Sequence, residues 1–104
     1  MAVVEISVVP LGLEGTSLSS YVAQALTVLQ ESSLDYELTA MGTIISGDLD
    51  EIWVVLRKMH ESCFAPGVPR VLTSIKIDDR RDKVGSARQK VHSVEQKLGM
   101  ERSR

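Results

Sequence analysis

Tyr36-Glu37-Leu38-Thr39-Ala40-Met41-Gly42-Thr43-Ile44-Ile45-Ser46 is the stretch on which the fold turns. Tyr36, Leu38 and Ala40 alternate with Glu37 and Thr39, the period of a strand with one face buried. A short turn containing Gly42 follows, and residues 43–46 read as a further strand, so the stretch predicts a β-hairpin.

A helix flanks this hairpin on each side. Upstream, Leu18, Val22, Ala25 and Leu29 fall on one helical stripe widened by Tyr21 and Leu26. Thr16 or Ser17 can accept the free amide hydrogens at its start, and the helix ends near Ser32. Downstream, Ile52, Leu56, Met59 and Cys63 form a second stripe. Asp48 with Glu51 three residues on reads as a capping box, and Pro66, Gly67 and Pro69 stop the helix.

Outside the helices lie two more strands. In residues 3–9, Val4, Ile6 and Val8 share one face and Glu5 and Ser7 the other. In the last strand Val71, Thr73, Ile75 and Ile77 stand opposite Leu72, Ser74, Lys76 and Asp78. Beyond the charged run 78–83, Val84, Ala87, Val91, Val94 and Leu98 recur at helical spacing, predicting a third helix, with 100–104 as a polar tail. The order is βαββαβ plus a C-terminal helix. It predicts an α+β (α/β) ferredoxin-like sandwich in one domain over residues 1–99, with two helices on one face of a four-stranded antiparallel sheet.

Size and composition agree with one core. The chain has 104 residues, 43% hydrophobic and 25% charged, with a formal charge of -2. That balance suits a globular domain rather than a disordered tail or a membrane span, and it gives no broad basic surface for nucleic acid. With no secretory leader and a single cysteine, Cys63, the expectation is a cytoplasmic protein.

Function is expected on the sheet face away from the helices. It carries Glu5, Ser7, Glu37, Thr39, Ser74 and Lys76 among the apolar Val3, Val9 and Leu72. Such a mixed face serves as a ligand pocket, an oligomer interface, both, or an ordinary solvated surface. No catalytic residue, metal site or cofactor is expected. His60 and Cys63 have metal-ligand spacing but supply two ligands where zinc takes three or four, and a buried thiol is usually inert packing. Arg80 and Arg81 either hold an anion or pair with neighbouring aspartates. Trp53 is expected in core or subunit packing, and the third helix against another subunit or an open sheet edge.

Pro10-Leu11-Gly12, the opening Thr16-Ser17-Leu18-Ser19-Ser20-Tyr21-Val22, the turn Met41-Gly42-Thr43 and the run Ile75-Lys76-Ile77-Asp78-Asp79-Arg80 together resemble the small thiamine-binding protein family, related to hydroxymethylpyrimidine/thiamine-binding domains. The likeness runs in matching order over residues 3–98. It implies a ferredoxin-like fold, sheet-to-sheet assembly into dimers or tetramers, and binding of thiamine or its pyrimidine precursor without turnover. Thr43 and Gly47 are the positions that carry over most directly. In that setting Glu5 or Glu37 would suit the thiazolium, and Ser7, Thr39 and Thr43 the aminopyrimidine. Lys76, Arg80 or Arg81 would meet a phosphate. The alternative is a regulatory or scaffolding oligomer whose mixed face is entirely subunit interface.

Overall fold

A computed structural model describes residues 1–12, 19–64, 67–82 and 87–99. The elements are β1 (Ala2–Leu11), α1 (Ser19–Gln30), β2 (Asp35–Thr39), β3 (Gly42–Gly47), α2 (Leu49–Ser62), β4 (Arg70–Asp79) and α3 (Ala87–Lys97). The strands form one antiparallel sheet in the order β2-β3-β1-β4. This is the ferredoxin-like sandwich predicted from the alternating strands, with α3 added. Thr16, Ser17, Leu18, Pro66, Lys83, Val84 and the tail 100–104 lie outside the described residues.

Alternation decides which face of each strand is buried. Ala2, Val4 and Ile6 of β1 and Ile45 of β3 pack against Ala25 and Leu29 of α1 and Ile52, Val55, Leu56 and Met59 of α2. Each fully buried aliphatic side chain contributes about 1.5–3 kcal/mol of transfer free energy, so this single layer supplies most of the drive to fold. The predicted α2 stripe is in place: Ile52, Leu56, Met59 and Cys63 are all buried.

One local expectation fails for a physical reason, and a second is narrowed. Asp48 does occupy the N-cap of α2, with its carbonyl accepting from the Ile52 N–H at 3.0 Å, but its side chain makes no capping hydrogen bond. Asp50 and Glu51 in the first turn instead place negative charge where the helix end is electropositive. Of the two settings expected for Trp53, core or subunit packing, the core is excluded. Trp53 is 50% exposed, because the buried stripe passes along Ile52, Val55, Leu56 and Met59 and leaves position 53 on its flank.

α3 lies on the other side of the sheet. It reaches β3, and Lys90 pairs with Asp78, which points away from α1 and α2. Val91, Val94 and Leu98 remain more than half exposed, so α3 leaves its own apolar stripe unpacked.

Candidate functional site

The register of β1 creates the cleft. β1 pairs with β4 from Ala2 to Leu11, but with β3 only from Ala2 to Ile6. Beyond Ile6 the hairpin turns away, and the β3 side of β1 over residues 7–11 has no partner strand among the described residues. Peptide N–H and C=O groups of alternate residues point outward from such an edge. α1 and the β2–β3 turn wall the space that this opens. The resulting cavity of about 190 Å³ is lined by Ile6, Ser7, Val8 and Val9 of β1, by Tyr21, Val22 and Ala25 of α1, by Leu38–Thr43 of the hairpin in numbers 38–43, and by Met59 of α2.

Its chemistry is mostly apolar with a few hydroxyls. Thr43 is 5% exposed, and its hydroxyl has no hydrogen-bond partner among the described residues; those of Ser7 and Tyr21 have none either. Thr39 is committed locally: its hydroxyl donates to the Gly42 carbonyl at 2.9 Å and accepts from the Met41 N–H at 3.2 Å. Tyr21 supplies the one aromatic ring in the lining among the described residues.

Two glycines fit the hairpin to its neighbours. A Cβ on Gly42 would stand 2.9 Å from the Ile6 carbonyl oxygen, and one on Gly47 would stand 2.7 Å from Leu34 Cδ2. The carried-over Gly47 therefore makes room for core packing, whereas Thr43 looks into the cleft.

The structure divides the residues singled out in the sequence among three places. Ser7, Thr39 and Thr43 come together around the cleft. Glu5, Glu37 and Lys76 share one row on the open face, Glu37 opposite Ile44, which lies opposite Glu5, which lies opposite Lys76. Thr43 faces away from that row, paired with Ile6 on the helix side. Arg80 and Arg81 follow the end of β4 that sits beside Ala2, roughly 17 Å along β1 from Ser7. Arg80 pairs with Asp82 at 2.7 Å and Arg81 with Asp79 at 2.9 Å, and these hydrogen bonds raise both guanidinium pKa values. Tyr21, Val22 and the edge of β1 were missed as site residues. Tyr21 was legible as part of a helical stripe and as one of the four aromatic rings the chain offers to a pyrimidine.

His60 and Cys63 each hydrogen-bond to another residue. His60 Nδ1 is hydrogen-bonded to Thr73 Oγ1 at 2.6 Å, and its ring meets Phe64 edge-on at 5.3 Å. Burial pushes the Cys63 thiol up from its ordinary value, against a smaller lowering from its hydrogen bond with Ser62. No group of three or more His, Cys, Asp or Glu among the described residues is placed to hold a metal ion. No helix among them is long and apolar enough to cross a membrane.

Known proteins share this architecture and sequence. A UPF0045 protein of Staphylococcus xylosus is 44% identical over 102 residues, covering 94% of this chain and 95% of its own. A crystal structure of a hypothetical protein from Methanocaldococcus jannaschii superposes with a TM-score of 0.81 at 40% identity, covering 89% of this chain and 94% of that one. A Thermotoga maritima protein provisionally assigned to thiamine biosynthesis or salvage shares the fold, with a TM-score of 0.75 at 20% identity over 89% of this chain and 97% of that one. The sequence pattern of the family described as "Thiamine-binding protein" matches residues 4–95. A match over nearly the whole chain, joined to the shared fold, makes this chain a member of the thiamine-binding protein family.

Proposed function

We propose that the protein is a cytoplasmic small-molecule binder that holds thiamine, or its hydroxymethylpyrimidine precursor, in the cleft between α1, β1 and the β2–β3 turn, without converting it. The observation that carries this reading is the convergence on one cavity of the Tyr21 ring, the Ser7 and Thr43 hydroxyls and the edge of β1, none of the last three with a partner among the described residues. An aminopyrimidine is a flat ring with donors and acceptors along one side. Extended backbone presents a matching row of N–H and C=O groups, and Tyr21 offers a face or edge to the ring.

Size supports a ring rather than a whole coenzyme inside. At about 190 Å³ the cavity is smaller than the roughly 300–1,000 Å³ usual for larger ligands. The thiazolium then extends past Gly42 toward the open face, where Glu5 stands beside the turn and supplies a carboxylate for the cation. The lining offers hydroxyls and apolar surface but no carboxylate, imidazole or thiol among the described residues, which favours binding over turnover.

Titration calorimetry with thiamine, hydroxymethylpyrimidine and their phosphates tests the reading. Saturable heat, with ligand recovered unchanged, is expected; no heat at millimolar ligand overturns it, and conversion of the ligand overturns the binder assignment.

Self-association to a dimer or tetramer belongs to the same proposal. It is favoured by the exposed Leu72, Val91, Val94 and Leu98 on and above the open face. The scaffolding alternative rests on this observation as well. An assembly in which the open face is dry and packed, with no ligand taken up in the cleft, would select it.

A further inference from the structure

α1 and α2 meet along a second hollow that shares no residue with the cleft. The two helices run in opposite directions, because each returns along the sheet after one of the antiparallel strands β1 and β3. The C-terminal end of α1 therefore lies beside the first turns of α2. Leu34 marks the junction, so close to Gly47 that a Cβ there would meet Leu34 Cδ2 at 2.7 Å. The space between the helices is a shallow groove of about 340 Å³, larger than the cleft and within the roughly 300–1,000 Å³ usual for ligand sites.

Its middle is apolar and its ends are charged. Val28 of α1 and Val54 and Val55 of α2 line the middle, Val55 buried and Val54 exposed. Glu31 and Glu51 stand at the Leu34 end. Lys58 lines the same groove seven residues past Glu51, and so about 10.5 Å further along the axis of α2. Positions 51, 54, 55 and 58 share one face of the helix, which places acid, apolar surface and base in that order.

These charges break a local rule. A helix C-terminus carries partial negative charge and favours cations, yet α1 has no basic residue in its last turn and is followed at once by Glu31. Glu31 then shares the groove with a second carboxylate. Lys58 offsets neither, since among the described residues Glu31, Glu51 and Lys58 form no ion pair. Such conflicts between local charge and local structure are expected at functional sites, where a ligand supplies the missing partner.

We propose that this groove binds a short apolar peptide with free ends, its ammonium group between Glu31 and Glu51, its carboxylate on Lys58 and its central side chain against Val28, Val54 and Val55. The site is separate from the cleft, and it stands whatever the cleft binds.

The chemistry disfavours simpler occupants. A metal ion would find two carboxylates here, and no third ligand joins them among the described residues. A lone cation leaves Lys58 unmatched, and a dianion is repelled at the Leu34 end. A free α-amino acid carries both charges on one Cα and cannot reach both ends. Extended backbone spans at most about 3.3–3.6 Å per residue, so three residues cover about 10 Å, the separation of Glu51 and Lys58 along the helix.

Nuclear magnetic resonance titration of the full chain with alanyl-valyl-alanine at low ionic strength tests the proposal. Saturable shifts are expected at Val28, Leu34, Val54 and Val55, with a millimolar dissociation constant, and none at Tyr21 or Thr43. Exposed charge pairs are individually weak, so N-acetylating or C-amidating the peptide is expected to weaken binding about twofold to fivefold in each case. The double variant Glu31→Gln/Glu51→Gln is expected to bind the free and N-acetylated peptides alike. Lys58→Gln is expected to do the same for the free and amidated peptides. No saturable shift along the groove, equal affinity of the wild type for free and blocked peptides, or shifts confined to the cleft would each overturn the proposal.

Discussion

The Thr39 hydroxyl donates to the carbonyl of Gly42 at 2.9 Å while accepting from the Met41 N–H at 3.2 Å, so one side chain ties the β2–β3 turn across its mouth. The turn is also a wall of the cleft. Its conformation therefore links the stability of the hairpin to the shape of the binding space.

Thr39→Val keeps the β-branched shape and deletes both bonds. With each neutral bond contributing a net ~0.5–1.5 kcal/mol, a loss of about 1–2 kcal/mol is expected. Thermal unfolding would read this as a midpoint lowered by roughly 4–8 °C per kcal/mol. Gly42→Ala is expected to cost about 1–3 kcal/mol through its clash with the Ile6 carbonyl, a backbone atom that cannot step aside. Unchanged melting in both variants would show that the turn is held by other contacts.

Ligand contacts separate from stability at Thr43 and Tyr21. Thr43→Val removes a hydroxyl that has no partner among the described residues, so folding stability should hold while affinity for hydroxymethylpyrimidine falls about tenfold. Tyr21→Ala should lose about tenfold or more through the missing ring, with Tyr21→Phe retaining most of the binding. Calorimetry on the three variants measures this. Full affinity in Tyr21→Ala would remove the ring from the site.

The fold was legible because the strands state their own faces. Val4 and Ile6 against Glu5 and Ser7, and Ile75 and Ile77 against Ser74 and Lys76, follow the pleat as written, and the register places Glu5, Glu37 and Lys76 in one row as alternation implies. The cleft was not legible, because it arises from a difference in strand length. β1 outruns β3 after Ile6, and no local pattern in residues 7–11 records where a partner strand turns away. Thr39 and Thr43 illustrate the same limit. They lie on opposite faces of the hairpin, yet both border the cavity, because the turn itself forms the wall. Trp53 shows the limit of helical stripes: a residue next to a buried position can stand on the flank of the helix.

Arg80→Ala and Arg81→Ala should leave both melting temperature and ligand affinity unchanged within error. The pairs with Asp82 and Asp79 are solvent-exposed, where a Coulomb gain is screened and offset by side-chain ordering. They also sit at the far end of β1 from the cleft. Calorimetry with thiamine and its phosphates on each variant checks the point. A loss confined to the phosphorylated ligand would place the phosphate at these arginines and shift the proposed pose toward the Ala2 end of the sheet.

Cys63 gives a pH-dependent prediction whose sign follows from burial. Desolvation raises its folded-state pKa above the ordinary thiol value of 9.0, so the folded protein favours the neutral thiol more than the unfolded chain does. The associated stability is fully present below the unfolded pKa and is lost as pH rises through the folded one, which places its effect above about pH 9. Chemical denaturation of wild type and Cys63→Ala should therefore run parallel from pH 6 to 8, with the variant offset downward by its lost packing. The two curves should converge above pH 9 as the wild type alone loses the thiol contribution. Alkylation by iodoacetamide at pH 8 should be slow in the native state and fast in denaturant, since both burial and the raised pKa keep the thiolate scarce. Rapid native-state alkylation at pH 8 would show that the C-terminal turn of α2 opens far more readily than its packing against the core implies.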